Sequence, residues 1–133
     1  MSRILVVEDN QINQQVTLGL LRNLGYSDVD LAEDGLSALG RATREHYDLI
    51  LMDVRMPGLD GLEVVRRIRG WESRQQSPRV PIIALTAHAM VQDREQCLAA
   101  GMDDYLAKPV RKAMLGDMVA QWLRRGTQTP AHA

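Results

Sequence analysis

Phenylalanine is absent from the 133 residues, and aromatic residues of all kinds make up only 4%. Leu, Ile, Val, Met and Ala must therefore fill the core, and a hydrophobic content of 45% is enough to build one. Cysteine is nearly absent as well. Cys97 stands alone, which excludes an internal disulfide and points to a reducing compartment. Long apolar runs are missing: the longest, such as Ile4 to Val7, hold about four residues, far short of the ~20 that a membrane span needs. Met1-Ser2-Arg3 leads straight into that run without the pattern of a signal peptide. Neither sign of charge dominates. A net charge of −1 and an isoelectric point near 6.3 lack the basic stripe of a nucleic-acid binder. No internal repeat or low-complexity block appears. These exclusions describe a soluble, cytoplasmic chain of one domain, with no nucleic-acid partner and no membrane contact.

What is present is an alternation. Three short apolar runs, Ile4-Leu5-Val6-Val7, Leu49-Ile50-Leu51-Met52 and Ile82-Ile83-Ala84-Leu85, read as strands buried on both faces of a parallel sheet. Two weaker segments, Asp28-Val29-Asp30-Leu31 and Tyr105-Leu106-Ala107, suit edge strands. Helical patterns fill the gaps. Ile12, Val16, Leu20 and Leu24 follow i, i+4 spacing up to a stop at Gly25. Ala38, Leu39 and Ala42 follow Gly35; Leu62, Val65 and Ile68 follow Gly61; Cys97, Leu98 and Ala100 end at Gly101. Met114, Met118 and Trp122 beside Leu115, Val119 and Leu123 give the last helix a broad apolar face. Five strands and five helices in alternation imply an α/β, flavodoxin-like doubly wound sheet with right-handed crossovers. The order 2-1-3-4-5 puts the apolar strands in the middle and the weak ones at the edges. One domain over residues 1–125 is expected, with 126–133 as a disordered tail or linker stub.

The chemistry lies at the strand ends. The first strand ends in Glu8-Asp9, the third in Asp53, the fourth in Thr86 and the fifth in Lys108-Pro109. In the order 2-1-3-4-5 the chain reverses direction between strands 1 and 3, and the crevice beyond their carboxyl ends is the expected ligand site. Taken singly, an Asp after a strand is more often a helix cap. Taken together, three carboxylates on one rim repel one another and need a cation. Oxygen ligands without His or Cys favour Mg²⁺. Lys108 is a point charge for a phosphoryl oxygen and Thr86 a hydroxyl donor to another. A cation well, a carboxylate nucleophile and two partners for phosphate oxygens suit phosphoryl transfer onto a carboxylate.

Four stretches carry a resemblance to a known family: Val7-Glu8-Asp9-Asn10, Leu51 to Gly58 with Asp60-Gly61, Pro81 to Ala87, and Gly101 to Pro109. Over about residues 3 to 125 the sequence resembles the receiver domain of two-component response regulators. The wording around Asn10, Asn13 and Ala87-His88-Ala89-Met90 is most similar to receivers of hybrid sensor histidine kinases. The resemblance implies a two-component phosphorelay role with Asp53 as phosphoacceptor. It implies Mg²⁺ held by Glu8, Asp9, Asp53 and the backbone carbonyl of Arg55. Thr86 and Lys108 would bind the phosphoryl group, and Thr86 and Tyr105 would form the conformational switch. The Lys108–Pro109 bond would be cis; an X-Pro bond permits that. Arg55 and His88 would tune the lifetime of an aspartyl phosphate that slowly autodephosphorylates. The implied donor is a histidine kinase or a histidine phosphotransfer domain. The implied output face combines the fourth helix, fifth strand and fifth helix, which could also pair in a phosphorylation-dependent dimer. A hybrid-kinase parent chain could itself be membrane-anchored.

Other readings fare worse on the residues. A phosphatase with an aspartyl nucleophile often carries a second Asp two positions on, where this chain has Arg55. A flavin site would need a Ser/Thr/Gly-rich loop after the first strand, where Glu8-Asp9-Asn10 would repel phosphate. A pure interaction module would bind its partner regardless of phosphorylation. His46, His88 and His132 lack metal-ligand spacing. Cys97, Trp71 and Trp122 read as packing residues, Arg66-Arg67 and Arg124-Arg125 as solvated helix positions, and Gly58 and Gly61 as turn and helix-start residues.

Overall fold

The computed structural model describes residues 2–54, 60–87 and 91–128. Strands β1 (Ile4–Val7), β2 (Val29–Ala32), β3 (Leu49–Asp53), β4 (Ile82–Thr86) and β5 (Asp104–Ala107) alternate with helices α1 (Gln11–Asn23), α2 (Gly35–Arg44), α3 (Gly61–Gln75), α4 (Val91–Ala100) and α5 (Lys112–Gln128). All pairings are parallel, and the order is β2-β1-β3-β4-β5. This is the flavodoxin-like arrangement expected from the polarity of the runs.

Strand alternation divides the core into two layers. Ile4, Val6, Leu49, Leu51, Ile83, Leu85 and Leu106 face Leu21 of α1 and Leu115 and Val119 of α5. Leu5, Val7, Ile50, Met52, Ile82 and Ala84 face Ala38 of α2, Val64, Val65 and Ile68 of α3, and Cys97 of α4. Helices cover both faces, so the central strands carry no polar interruption. Cys97 belongs to this core; burial, then the nearby charge of Asp93, push its thiol up and away from nucleophile behaviour.

Helix α1 departs from its expected face. Ile12 and Val16, the first half of its apolar stripe, are 72% and 47% exposed, while Gln14, Thr17 and Leu21 are buried. Helix α5 runs through Gln128, past the boundary expected at Arg125; residues 129–133, including His132, lie outside the described residues. A cross-brace fixes α3 to the loops before β4 and β5. Arg69 donates to Glu72 (2.9 Å), to Asp103 (2.8 Å) and to the carbonyls of Val80 (2.8 Å) and Gly101 (2.9 Å). Gly25 and Gly101 end α1 and α4 with φ of +96° and +115°, the left-handed region that glycine enters without steric cost.

Candidate functional site

Parallel register brings the strand ends level. Val7 pairs with Met52, Asp53 with Leu85, and Thr86 with Ala107. The next residue of β1 is Glu8, and the next of β5 is Lys108, whose N–H donates to the Thr86 carbonyl at 2.8 Å. Glu8, Asp9, Asp53, Thr86 and Lys108 therefore share one rim by topology alone.

Each acid can place a carboxylate oxygen within 4.8 Å of oxygens of the other two. Glu8 and Asp53 are buried and Asp9 is exposed. Helix capping, the ordinary fate of an Asp at a strand end, falls to other residues. Asn10 caps α1 through the Asn13 N–H (3.1 Å), Asp34 caps α2 through Ser37 (2.7 Å), and Asp60 caps α3 through Glu63 (2.9 Å). Among the described residues, Lys108 brings positive charge to this rim. Its Nζ lies 2.9 Å from Glu8 Oε1 and 3.4 Å from Asp53 Oδ2, and its peptide bond to Pro109 is cis.

Burial alone would raise the Glu8 carboxyl. Hydrogen bonding with Asp53 and Lys108, the Lys108 charge and the Asn10 N–H outweigh it and hold Glu8 below its usual range. Two acids in hydrogen-bond contact beside one ammonium titrate as a unit. Such a set has an excess of oxygen donors over cations, and no His or Cys joins it among the described residues. The residues fit a hard divalent cation of the Mg²⁺ kind.

Thr86 and Tyr105 have the strand parity of Ala84, which places both toward the α3–α4 side of the sheet. Thr86 is buried; Tyr105 is half-buried, with the Arg94 guanidinium of α4 5.0 Å from its ring centroid. Arg55 and His88 lie outside the described residues, and His46 is an exposed side chain 3.4 Å from Asp48.

Two contributors escaped sequence reading. A Cβ on Gly61 would lie 2.5 Å from the Asp53 carbonyl oxygen, so this glycine is a spacer against the strand end and not merely the start of α3. Gln14, buried on α1, donates its amide N–H to the Glu8 carbonyl at 2.8 Å. No spacing rule separates either residue from an ordinary helix position.

Comparison with known proteins agrees with this geometry. The response regulator receiver domain family matches residues 4–120. The chain is 40% identical over 129 residues to the sensor protein GacS of Pseudomonas syringae pv. syringae, covering 97% of this chain and 14% of that protein's length. It is similar to the crystal structure of the receiver domain of sensor histidine kinase PA1611 from Pseudomonas aeruginosa PAO1, which has a magnesium ion in its active-site cleft: 52% identity, TM-score 0.82, covering 92% of this chain and 97% of that one. It also resembles the receiver domain of Saccharomyces cerevisiae Ssk1, crystallised with the histidine phosphotransfer protein Ypd1, at 33% identity and TM-score 0.85 over 91% of this chain and 88% of that one. With the sheet order, the acidic rim and these likenesses in agreement, the chain belongs to the family of response regulator receiver domains.

Proposed function

We propose that the chain accepts a phosphoryl group on Asp53 from a phosphohistidine donor, either a histidine kinase or a histidine phosphotransfer domain. The observation that carries this reading is the buried Asp53 carboxylate, 3.4 Å from Lys108 Nζ, within reach of the Glu8 and Asp9 carboxylates. An Asp53 oxygen attacks phosphorus, the P–N bond to the donor imidazole breaks, and the imidazole nitrogen keeps its electron pair. Lys108 turns from Asp53 to a phosphoryl oxygen, and the Thr86 hydroxyl donates to another. Glu8, Asp9, Asp53 and the Arg55 carbonyl would hold Mg²⁺, which when bound neutralises charge on the carboxylates and the incoming phosphoryl oxygens. Water later attacks phosphorus, the bond from phosphorus to the Asp53 oxygen breaks, and inorganic phosphate leaves, restoring the Asp53 carboxylate. Thr86 and Tyr105, on the same side of the sheet, would pass the change in Asp53 to the α4–β5–α5 face.

The exposed apolar side chains support a protein donor. Ile12 (72% exposed), Leu36 (68%) and Met114 (56%) stand in the first turns of α1, α2 and α5, at the helix ends that follow the strand carboxyl termini. Val16 (47%) is exposed further along α1. The first three lie at the end of the sheet that carries Asp53, where a helical donor would dock. No helix among the described residues is long and apolar enough to cross a membrane.

Transfer of ³²P from a phosphorylated histidine phosphotransfer domain, with Mg²⁺ present, is the test. Label should move to the wild type and not to Asp53→Asn. Ile12→Glu should slow transfer from the protein donor by about tenfold, the rate equivalent of ~1.4 kcal/mol, yet accept normally from acetyl phosphate. Label remaining on the donor with wild type, across several donors, would overturn the phosphorelay reading. Equal slowing with both donors would overturn the docking patch.

A further inference from the structure

Helix α1 buries an amide where an apolar side chain would pack without cost. Gln14 is 6% exposed while Ile12 and Val16 on the same helix face solvent. A buried amide is retained only if its hydrogen bonds offset lost hydration, so its bond identifies its use. Gln14 Nε2 donates to the Glu8 carbonyl at 2.8 Å, and Gln14 N donates to the Asn10 carbonyl at 2.9 Å. One residue thus grips both ends of the Glu8-Asp9-Asn10 turn. Glu8 N is tied to the Ala32 carbonyl at 3.0 Å, and Asn10 N reaches back to Glu8 Oε2 at 3.3 Å.

Asp9 gains least from packing. Glu8 is 1% exposed and is held by Lys108, whereas Asp9 is an exposed side chain whose direction depends on the backbone that carries it. The gripped carbonyl belongs to the Glu8–Asp9 peptide unit, a rigid plane. Fixing its oxygen fixes the rotation of the plane, and with it the direction in which Asp9 leaves the main chain.

We propose that Gln14 is a positioning residue of the cation site: its amide orients the Glu8–Asp9 peptide so that Asp9 presents its carboxylate beside those of Glu8 and Asp53. This role rests on the reading of the acidic rim as a Mg²⁺ site. Groups that orient metal ligands from behind cost 10- to 100-fold in affinity when removed, by the general behaviour of such partners, so about a tenfold loss is expected here.

The test is calorimetric titration of the intact chain with Mg²⁺ alone, beside a thermal melt. Gln14→Met keeps length and removes the N–H donor; it should bind Mg²⁺ about tenfold more weakly while staying folded, its melting lowered only by the unpaired Glu8 carbonyl. Gln14→Leu, smaller and also without a donor, reads the same quantity if methionine overpacks the site. Wild-type Mg²⁺ affinity in the methionine and leucine variants would overturn the role of Gln14 alone. Wild type showing no Mg²⁺ binding would overturn the cation site itself.

Discussion

Lys108→Met is expected to slow phosphoryl acceptance from acetyl phosphate by about two to three orders of magnitude, the usual cost of deleting one donor aimed at developing charge. Two effects add. The Nζ group lies 2.9 Å from Glu8 and 3.4 Å from Asp53, two buried acids. Without it, the pair retains a proton to higher pH, and a protonated Asp53 is no nucleophile. The phosphoryl oxygen that Lys108 would meet is also left without its partner. The cation site should respond in the opposite direction. Removing a positive charge from among three carboxylates should tighten Mg²⁺ binding, so added Mg²⁺ restores ionisation of Asp53 without restoring acceptance. Stability should fall by about 2 kcal/mol in the absence of Mg²⁺, less than the ~3–5 kcal/mol typical of a fully buried broken pair because the Lys108 side chain keeps 20% exposure. Phosphorylation time courses, Mg²⁺ titration and melts separate these effects. Acceptance and Mg²⁺ affinity falling together in step with stability would reduce Lys108 to a structural residue.

Gly61→Ala should injure the site from behind. The added Cβ would lie 2.5 Å from the Asp53 carbonyl oxygen, 3.0 Å from Val54 Cα and 3.1 Å from the Val54 carbonyl oxygen. All three are backbone atoms, so no rotamer change relieves the contact. Gly61 N also donates to the Val54 carbonyl at 3.0 Å, which pins α3 to the end of β3. Either the helix start or the strand end must move. Overpacking of this kind costs about 1–3 kcal/mol, and a shift of the acceptor by ~1 Å can cost about 100-fold in rate. Melting temperature and acetyl phosphate kinetics should therefore both fall. A Gly61→Ala chain with wild-type stability and wild-type acceptance would show that the loop yields freely.

The strands were legible because burial on both faces leaves a plain mark: Ile4–Val7, Leu49–Met52 and Ile82–Leu85 carry no polar residue. Their order followed from which runs were apolar, and the rim followed from the order, since parallel strands of one sheet end on one side. Geometry behind the rim was not legible. In α1 the i, i+4 stripe of Ile12, Val16, Leu20 and Leu24 marks a helix, but its first half faces solvent and Gln14 takes the inward place. Periodicity assumes that the buried face is the apolar one, and that assumption fails where a buried amide holds a main-chain turn and apolar side chains stand exposed at the end of the sheet that carries the site. Gly61 reads as a helix start because sequence carries no distance to Asp53. Arg69 looks like its neighbours Arg66 and Arg67, which pair with Glu63 at the surface; only the fold brings Asp103 and the Val80 and Gly101 carbonyls to it. The end of α5 at Gln128 lies beyond the last apolar position of its pattern, where helix continues without a core to mark it.

Asp53 as acceptor is tested most directly by intact-mass spectrometry after incubation with acetyl phosphate and Mg²⁺. Wild type should gain the mass of one phosphoryl group, lose it again when the donor is removed, and gain none when Mg²⁺ is chelated; Asp53→Asn should stay unmodified throughout. An unmodified wild type, or an Asp53→Asn chain that takes up the group as fully, would contradict the assignment.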